Sequence, residues 1–156
     1  MSRDIGSIEV TFLRKLSNQD WLKLTTAMLK TSFYLPIGGG CKTEHLHVGQ
    51  CPDDFDWSVA ELTMEEFCVV LLEKQSAEER IGFVLENSKD AGDRLYVWGE
   101  SDAFGNTSLV FQPSNWRPVV KGSEVSDVSR FIPTVYASCT SVDKEIRFSF
   151  TQYIDR

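Results

Sequence analysis

Between Phe67 and Gln112 the chain carries four short apolar runs, and their length and spacing constrain the fold more than any other feature. The runs are rich in Val, Leu, Phe, Tyr and Trp, and turn-forming segments separate them. Short runs of this composition are typical of strands that pair with their neighbours along the chain. The sequence therefore predicts an antiparallel meander over Phe67–Lys74, Arg80–Asn87, Arg94–Glu100 and Ser108–Gln112.

The first of these runs also fits a helix. Thr63 and Glu66 have the spacing of a capping box, so a helix from Met64 to Lys74 is the alternative. The β-branched pair Val69-Val70, together with the strand that follows, favours a strand preceded by a helical turn. We therefore expect a strand here.

The N-terminal third predicts one strand, one helix and one long loop. Apolar and polar residues alternate over Ser7–Lys15, as in a strand with one face in water. Ser17, followed three residues later by Asp20, is close to a capping box, and an amphipathic helix is expected from Ser17 to about Phe33. The three successive glycines Gly38–Gly40 cost too much backbone entropy for a regular element, so they open a loop that runs to about Asp54.

Two more strands are predicted near the C-terminus, Pro133–Cys139 and Glu145–Tyr153. In the second, Ile146, Phe148 and Phe150 alternate with polar residues and are expected to face the core. The predicted fold class is α+β. It consists of an antiparallel sheet, with a meander of about four strands plus N- and C-terminal strands, packed by one main amphipathic N-terminal helix.

Length and composition are those of a globular protein. The chain has 156 residues, of which 42% are apolar, and it contains no Pro/Gly/Ser-rich linker. Residues 1–156 are therefore expected to form a single globular domain. No window approaches the roughly 18 uninterrupted apolar residues of a membrane span, so a cytoplasmic protein is expected. Four cysteines are too few for a disulfide scaffold at this length and are interpreted as free thiols.

Acidity is concentrated in the middle of the chain. Residues 44–102 hold fifteen acidic and four basic residues, the flanking segments are slightly basic, and the formal net charge is −7. A concentrated negative field repels nucleic acid and anionic membranes and attracts cationic partners. We therefore expect a basic protein partner, no nucleic acid and no membrane. The alternative is that the acidity serves solubility alone.

The residues expected to contact this partner combine aromatic rings with carboxylates. Tight interfaces use desolvated rings as anchors and carboxylates to pair with Arg or Lys across the contact. Two aromatic residues lie among acids just after residue 52, and further acids occupy helix or turn positions that a meander would bring to one end. The candidate partner-binding residues are Asp53, Asp54, Phe55, Asp56, Trp57, Glu61, Glu65, Glu66, Glu78, Glu79, Glu100 and Asp102.

An alternative interpretation places the same residues in ordinary structural roles. Phe55 and Trp57 would fill the core, and the acids would form a solvated face. Trp98 and Trp116 are interpreted in the same way, as core or loop-anchoring residues.

One short motif is a candidate metal site. Cys41, His45, His47 and Cys51 form a C-x3-H-x-H-x3-C pattern, and two imidazoles with two thiolates are a legitimate tetrahedral zinc set. A straight strand would spread positions 41 and 51 over about 33 Å, so the loop would have to double back. Two loop histidines and two thiols without metal are the preferred interpretation, and no cofactor is expected.

No motif names a reaction. The G-x-S-x-G elbow, the phosphate loop, the H-E-x-x-H helix and the G-x-G-x-x-G fingerprint are all missing from the sequence. A Cys–His pair within residues 41–51 is the only short-range candidate for nucleophilic catalysis. We therefore expect a binding protein and not an enzyme.

As a class, the chain resembles the immunity proteins of bacterial contact-dependent inhibition and polymorphic toxin systems. The likeness lies in a small, acidic α+β chain without catalytic motifs, in its early helix Asp20–Lys23 and in the strands Gly82–Leu85 and Leu95–Trp98. It covers most of the chain in architecture and includes no diagnostic motif. The resemblance implies that the protein binds and occludes a toxin domain, often a nuclease with a basic active-site cleft. No individual site residue carries over.

Two other functions remain open from the sequence. A phage or mobile-element inhibitor could imitate nucleic acid with its carboxylates, which requires acids spaced along a surface like phosphates. A small metal-binding protein or enzyme would instead centre on Cys41, His45, His47 and Cys51.

Overall fold

Strands and helices together confirm the predicted α+β class. The computed structural model describes residues 4–51, 55–114, 128 and 131–154. Within these residues the chain forms eight strands and three helices. In chain order they are β1 (Asp4–Phe12), α1 (Asn18–Leu29), β2 (Phe33–Tyr34), β3 (Lys42–Leu46), β4 (Trp57–Glu61), α2 (Met64–Ser76), β5 (Ile81–Asn87), β6 (Asp90–Ser101), β7 (Thr107–Pro113), α3 (Ile132–Val142) and β8 (Ile146–Ile154).

All strands join one antiparallel sheet in the order β4-β3-β5-β6-β7-β1-β8, with the short β2 also on β5. The consecutive strands β5, β6 and β7 form a meander of three of the four predicted strands, because each pairs with the next along the chain. β1 lies between β7 and β8, so the first and last described strands are neighbours in the sheet.

One apolar core lies between the helices and one face of the sheet. Alternate residues of each strand point to the same face, and in β1, β5, β6 and β7 the residues on this face are almost fully buried. The core combines Ile8, Val10 and Phe12 of β1, Phe83 and Leu85 of β5, Val97 of β6 and Phe111 of β7 with Trp21 and Leu24 of α1, Phe67 and Leu71 of α2, and Val135 and Cys139 of α3.

The capping box predicted at the start of α1 is present. The Ser17 side chain accepts from the backbone N–H of Asp20, and the Asp20 side chain accepts from the backbone N–H of Ser17. The helix ends at Leu29, before the predicted Phe33, which instead opens β2.

Two predicted strands are wrong, because both segments are helices. In place of a strand over Phe67–Lys74, α2 begins after Thr63, whose side chain accepts from the backbone N–H of Glu66. The helix buries Phe67, Leu71 and Lys74, which share one face at helical spacing. The capping residue Thr63 was therefore the correct indicator of a helix, and the β-branched pair Val69-Val70 was misleading.

The predicted strand Pro133–Cys139 is likewise part of α3. A proline in the first turn of a helix costs nothing, because its missing N–H would have no helical partner there. Val135 and Cys139 lie one turn apart and are fully buried in the core. The described part of the chain therefore has three helices, whereas the sequence predicted one main helix.

The predicted loop over residues 38–54 contains a strand. The glycines do form a turn with positive φ angles, but β3 starts at Lys42 and pairs with both β4 and β5. The strand β4 was not predicted, since its five residues carry only a weak alternating pattern. In the described part of the chain, no helix has both the length and the apolar character needed to cross a membrane.

A charged clamp ties the start of α1 to the end of α3. The guanidinium of Arg14 donates to Asp20 at 2.6 Å and to Asp143, the residue that follows α3, at 2.7 Å. These hydrogen bonds from Arg14, helped by the backbone N–H of Ser17, lower the pKa of Asp20 to about 2.

We predict that this clamp makes stability fall in acid. The folded-state pKa of Asp20, about 2, lies below its ordinary value of 3.8, so its contribution is present above 3.8 and is lost as the pH falls through about 2. Asp20→Asn should be less stable than the wild type by about 1–2 kcal/mol at neutral pH, a range reduced because Arg14 is partly exposed.

Denaturant unfolding of both proteins from neutral to acid pH measures the effect. The stability difference between them should shrink as the pH approaches 2. Glu65→Gln, at an exposed position in α2, controls for the loss of one carboxylate. Equal acid slopes for the wild type and Asp20→Asn would contradict the prediction.

Candidate functional site

The sheet face opposite the core carries a cluster of aromatic side chains. Along β6 the core-facing residues alternate with Tyr96 and Trp98, which therefore lie on the other face of the sheet. Trp57 at the start of β4, and Phe55 just before it, contact these two rings. Within the described residues, no helix covers this cluster. We call Phe55, Trp57, Tyr96 and Trp98 the aromatic face.

The four rings form two edge-to-face pairs. The centroids of Trp57 and Tyr96 are 5.2 Å apart at an interplanar angle of 70°, and those of Phe55 and Trp98 are 5.4 Å apart at 75°. These are favourable aromatic geometries, worth about 0.5–1.5 kcal/mol per pair beyond burial. Phe55 is nevertheless 47% exposed, and the other three rings are half-buried. The cluster is therefore ordered by its own contacts while it still presents apolar area to solvent.

Two arginines extend the aromatic face, each stacked on a ring and paired with a carboxylate. The guanidinium of Arg80 lies 4.2 Å from the Phe55 ring centroid, and that of Arg94 lies 5.6 Å from the Tyr96 centroid. Arg94 also forms an ion pair with Glu44 of β3. Because cation–π contact and ion pairing act on the same side chain, both guanidinium groups are held against the sheet.

A glycine in the middle of the sheet makes room for this packing. A Cβ atom on Gly82 of β5 would lie 2.7 Å from Leu46 Cδ1 and 3.0 Å from Trp57 Cη2. Contacts this short would displace the Leu46 side chain and press on the indole, so the packing of Leu46 and Trp57 depends on Gly82 having no side chain.

Beside the aromatic face, four of the predicted carboxylates line one cavity of about 420 Å³. Glu78 and Glu79 follow α2, Glu100 lies near the end of β6, and Asp102 lies in the turn between β6 and β7. Trp21 and Lys15 also line the cavity. We call this the acidic cavity, and its lining includes Glu78, Glu79, Glu100 and Asp102.

Part of the negative charge in the acidic cavity is already balanced by the protein itself. Glu79 pairs with Lys74 at 3.1 Å, and Glu100 pairs with Arg80 at 3.5 Å. Asp102 uses one oxygen to accept backbone N–H groups of its own turn. Glu78 and Asp102 form no ion pair with a basic side chain among the described residues. These two groups therefore carry the unpaired negative charge of the cavity, and Lys15, which also lines it, offsets part of that charge.

The acidic cavity and the aromatic face adjoin each other through Arg80. Its guanidinium stacks on Phe55 and pairs with Glu100, a residue that also lines the cavity. The two features are therefore linked at Arg80 and Glu100, although the cavity is also lined by Trp21 and Ile81 on the core side of the sheet.

The other predicted partner-binding residues lie elsewhere or outside the description. Asp53 and Asp54 fall outside the described residues, and Asp56 is exposed next to Phe55. Glu61 ends β4, while Glu65 and Glu66 occupy the first turn of α2, roughly 15–17 Å along the helix from its C-terminal end. The structure therefore gathers only some of the predicted acids on one surface.

The candidate metal ligands are not gathered into one site. Cys41 and Cys51 are exposed, His47 contacts the Ser58 hydroxyl at 3.0 Å through Nδ1, and His45 is buried in β3. Burial lowers the pKa of His45. In the described part of the chain, no three His, Cys, Asp or Glu side chains lie close enough to hold a metal ion.

Sequence reasoning missed the residues that complete the aromatic face. Trp98 was interpreted as core, and Tyr96, Arg80 and Arg94 were not singled out. The missed signal is the alternation in β6, where aromatic residues occupy every second position and smaller apolar residues fill the positions between them. Such a strand is apolar on both faces, and only one of them can face the helices.

Comparison with known proteins gives no indication of function, so any assignment depends on the geometry of the site. No protein-family model matches the chain, and no curated protein or solved structure matches it.

A buried lysine holds the wall of the acidic cavity in place. Lys74 is 1% exposed, and its ammonium donates to the His47 carbonyl at 2.7 Å and to Glu79 at 3.1 Å. Glu79 in turn accepts from the backbone N–H of Gly49. Burial lowers the pKa of Lys74, because desolvation disfavours its charged form.

We predict that Lys74→Met lowers the free energy of unfolding by about 2–4 kcal/mol, because it leaves the largely buried Glu79 carboxylate without its cation. The double variant Lys74→Met/Glu79→Gln should regain part of this loss, since it removes both charges. Urea unfolding of the three proteins measures the difference. A double variant that is no more stable than Lys74→Met would show that the ion pair is not the cause.

Proposed function

We propose that the protein is a binding module for a basic protein partner and docks it on the aromatic face and the acidic cavity. The observation that carries the proposal is the link between these two features through Arg80, which stacks on Phe55 and pairs with Glu100. Aromatic residues and arginine dominate the energetic centres of protein interfaces. Carboxylates at the border of such a centre speed encounter with a cationic partner and align it.

The proposal assigns different tasks to the two features. The aromatic face supplies apolar area that water leaves on binding, centred on the half-exposed Phe55. The acidic cavity supplies the unpaired charges of Glu78 and Asp102 for Lys or Arg side chains of the partner. Arg80 can release Glu100 to the partner, because their pair spans 3.5 Å and Glu100 is 58% exposed.

We further propose that the partner is a toxin domain, which this chain neutralises in the cytoplasm as an immunity protein. Support comes from the class-level resemblance and from the acidic surface, which suits a basic active-site cleft. The resemblance implies occlusion of that cleft. Imitation of nucleic acid is less well supported, because the unpaired carboxylates border a cavity beside aromatic rings and do not follow a line.

Capture of the partner from the source cells tests the proposal. The tagged chain is used as bait at low and at high salt, and the captured protein is identified and purified for affinity measurements. We expect a basic protein, encoded next to this chain's gene if it is a toxin, whose association slows as salt screens the charges. Capture of an acidic protein, or association that salt does not change, would count against the proposal.

Matched variants locate the contact surface. Glu78→Gln/Asp102→Asn should weaken binding about tenfold, whereas Glu65→Gln/Glu66→Gln removes the same two charges at the far end of α2 and should leave affinity unchanged. Phe55→Ala should cost more than about 1 kcal/mol of binding free energy, whereas Leu29→Ala, at a similarly exposed residue of α1, should cost little. Equal losses for the test and control variants would place the contact elsewhere.

A further inference from the structure

The two edges of the sheet differ in how well they are protected against pairing with another strand. An edge strand presents unpaired backbone N–H and C=O groups, and proteins guard such edges with short length, charge, proline or bulges. β4 is five residues long, ends in Glu61 and follows Asp56. This edge therefore carries the usual protection.

β8, at the other edge, is less well protected. It is nine residues long, and its register with β1 runs unbroken from Phe12↔Ile146 to Asp4↔Ile154. It contains no proline and no acidic residue, and Arg147 is its single charged residue. Among the described residues, β1 is the only strand that pairs with it. Its outer side is therefore a long template for one more antiparallel strand.

Apolar side chains accompany this open edge. Phe150, the middle residue of β8, is 53% exposed although its register partner Ile8 is fully buried in the core. Tyr136 of α3 is 55% exposed and packs on Phe148 at a centroid distance of 5.7 Å. The prediction that Phe150 faces the core is correct in direction, but the core does not cover the ring.

We infer that β8 pairs with β8 of a second copy of this chain, antiparallel and about a two-fold axis at Phe150. Identical strands related by a two-fold axis perpendicular to the sheet are antiparallel by symmetry, and an axis at the central residue aligns all nine positions. The two Phe150 rings then lie opposite each other and cover the apolar area that each exposes alone. The two sheets become one continuous sheet across the dimer.

Charge favours a second copy over the basic partner at this edge. Each copy carries a net charge of −7, but its acidity is concentrated in residues 44–102 and none of it lies in β8. Two copies therefore meet at β8 without opposing carboxylates. A basic partner has no carboxylate to pair with on this strand and is attracted to the acidic cavity instead. The inference goes beyond the proposed function and does not depend on it.

Sedimentation equilibrium at micromolar concentration tests the inference. The wild type should have twice the 17.7 kDa mass of the chain, whereas Phe150→Lys, which places two ammonium groups at the axis, should have the mass of one chain. Val59→Lys is the matched control, because Val59 is 57% exposed on the other edge strand. It should leave the dimer intact. Circular dichroism checks that each variant is folded, and Phe150→Thr, a good strand residue, replaces Phe150→Lys if that variant is not.

Cross-linking tests the register independently of the effect of charge. In a Cys41→Ser/Cys51→Ser background, Phe150→Cys should form a disulfide-linked dimer on oxidation, because directly opposed residues of antiparallel strands lie within disulfide reach. Val59→Cys should not.

A monomeric wild type, a dimer that persists in Phe150→Lys, or a dimer that Phe150→Cys does not cross-link would overturn the inference. The experiments can contradict the dimer without contradicting the proposed function, and the reverse. Phe150→Lys should still capture the basic partner, and Phe55→Ala should still dimerise.

Discussion

Burial of one face of the sheet under three helices is the constraint on which the other features depend. Because side chains alternate along a strand, each strand that sends Val97 or Phe83 into this core sends its neighbours to the opposite face. On β6 those neighbours are Tyr96 and Trp98, which are too large to be left as isolated surface residues. They are held by pairing with the rings near β4 and by the stacked arginines. The position of the aromatic face therefore follows from the alternation that also places Val97 in the core.

The sequence correctly predicts those helices and strands whose residue pattern favours only one type of secondary structure. Alternation alone predicts β1, and a capping residue followed by helical spacing predicts α1. The prediction is wrong for α2 because apolar residues lie on almost every side of that helix, which hides its period. For α3, β-branched residues and a proline resemble a strand until burial at positions four apart is known. β3 was missed because the glycines just before it indicated that the whole segment was a loop.

The candidate site is less predictable, because it depends on which elements adjoin. The sequence predicts that Glu78, Glu79, Glu100 and Asp102 converge, since each follows or ends an element of the meander. It does not predict that Lys74 and Arg80 offset two of these charges, because those ion pairs require the positions of α2 and β5. It proposes Phe55 and Trp57 as contact residues but leaves burial in the core open as the alternative, because the outcome depends on the side of the sheet that the helices take.

The position of β1 between β7 and β8 has a consequence for biosynthesis. During synthesis residues 4–12 emerge well before residues 107–113 and 146–154, which form the two strands that flank them. A nascent chain can assemble the β5–β6–β7 meander early, but β1 cannot gain its second neighbour until residue 154 has emerged. Contacts between residues so far apart in sequence also slow folding. Sheet closure is therefore a late event, and a ribosome-bound or prematurely terminated chain would present β1 itself as an open edge.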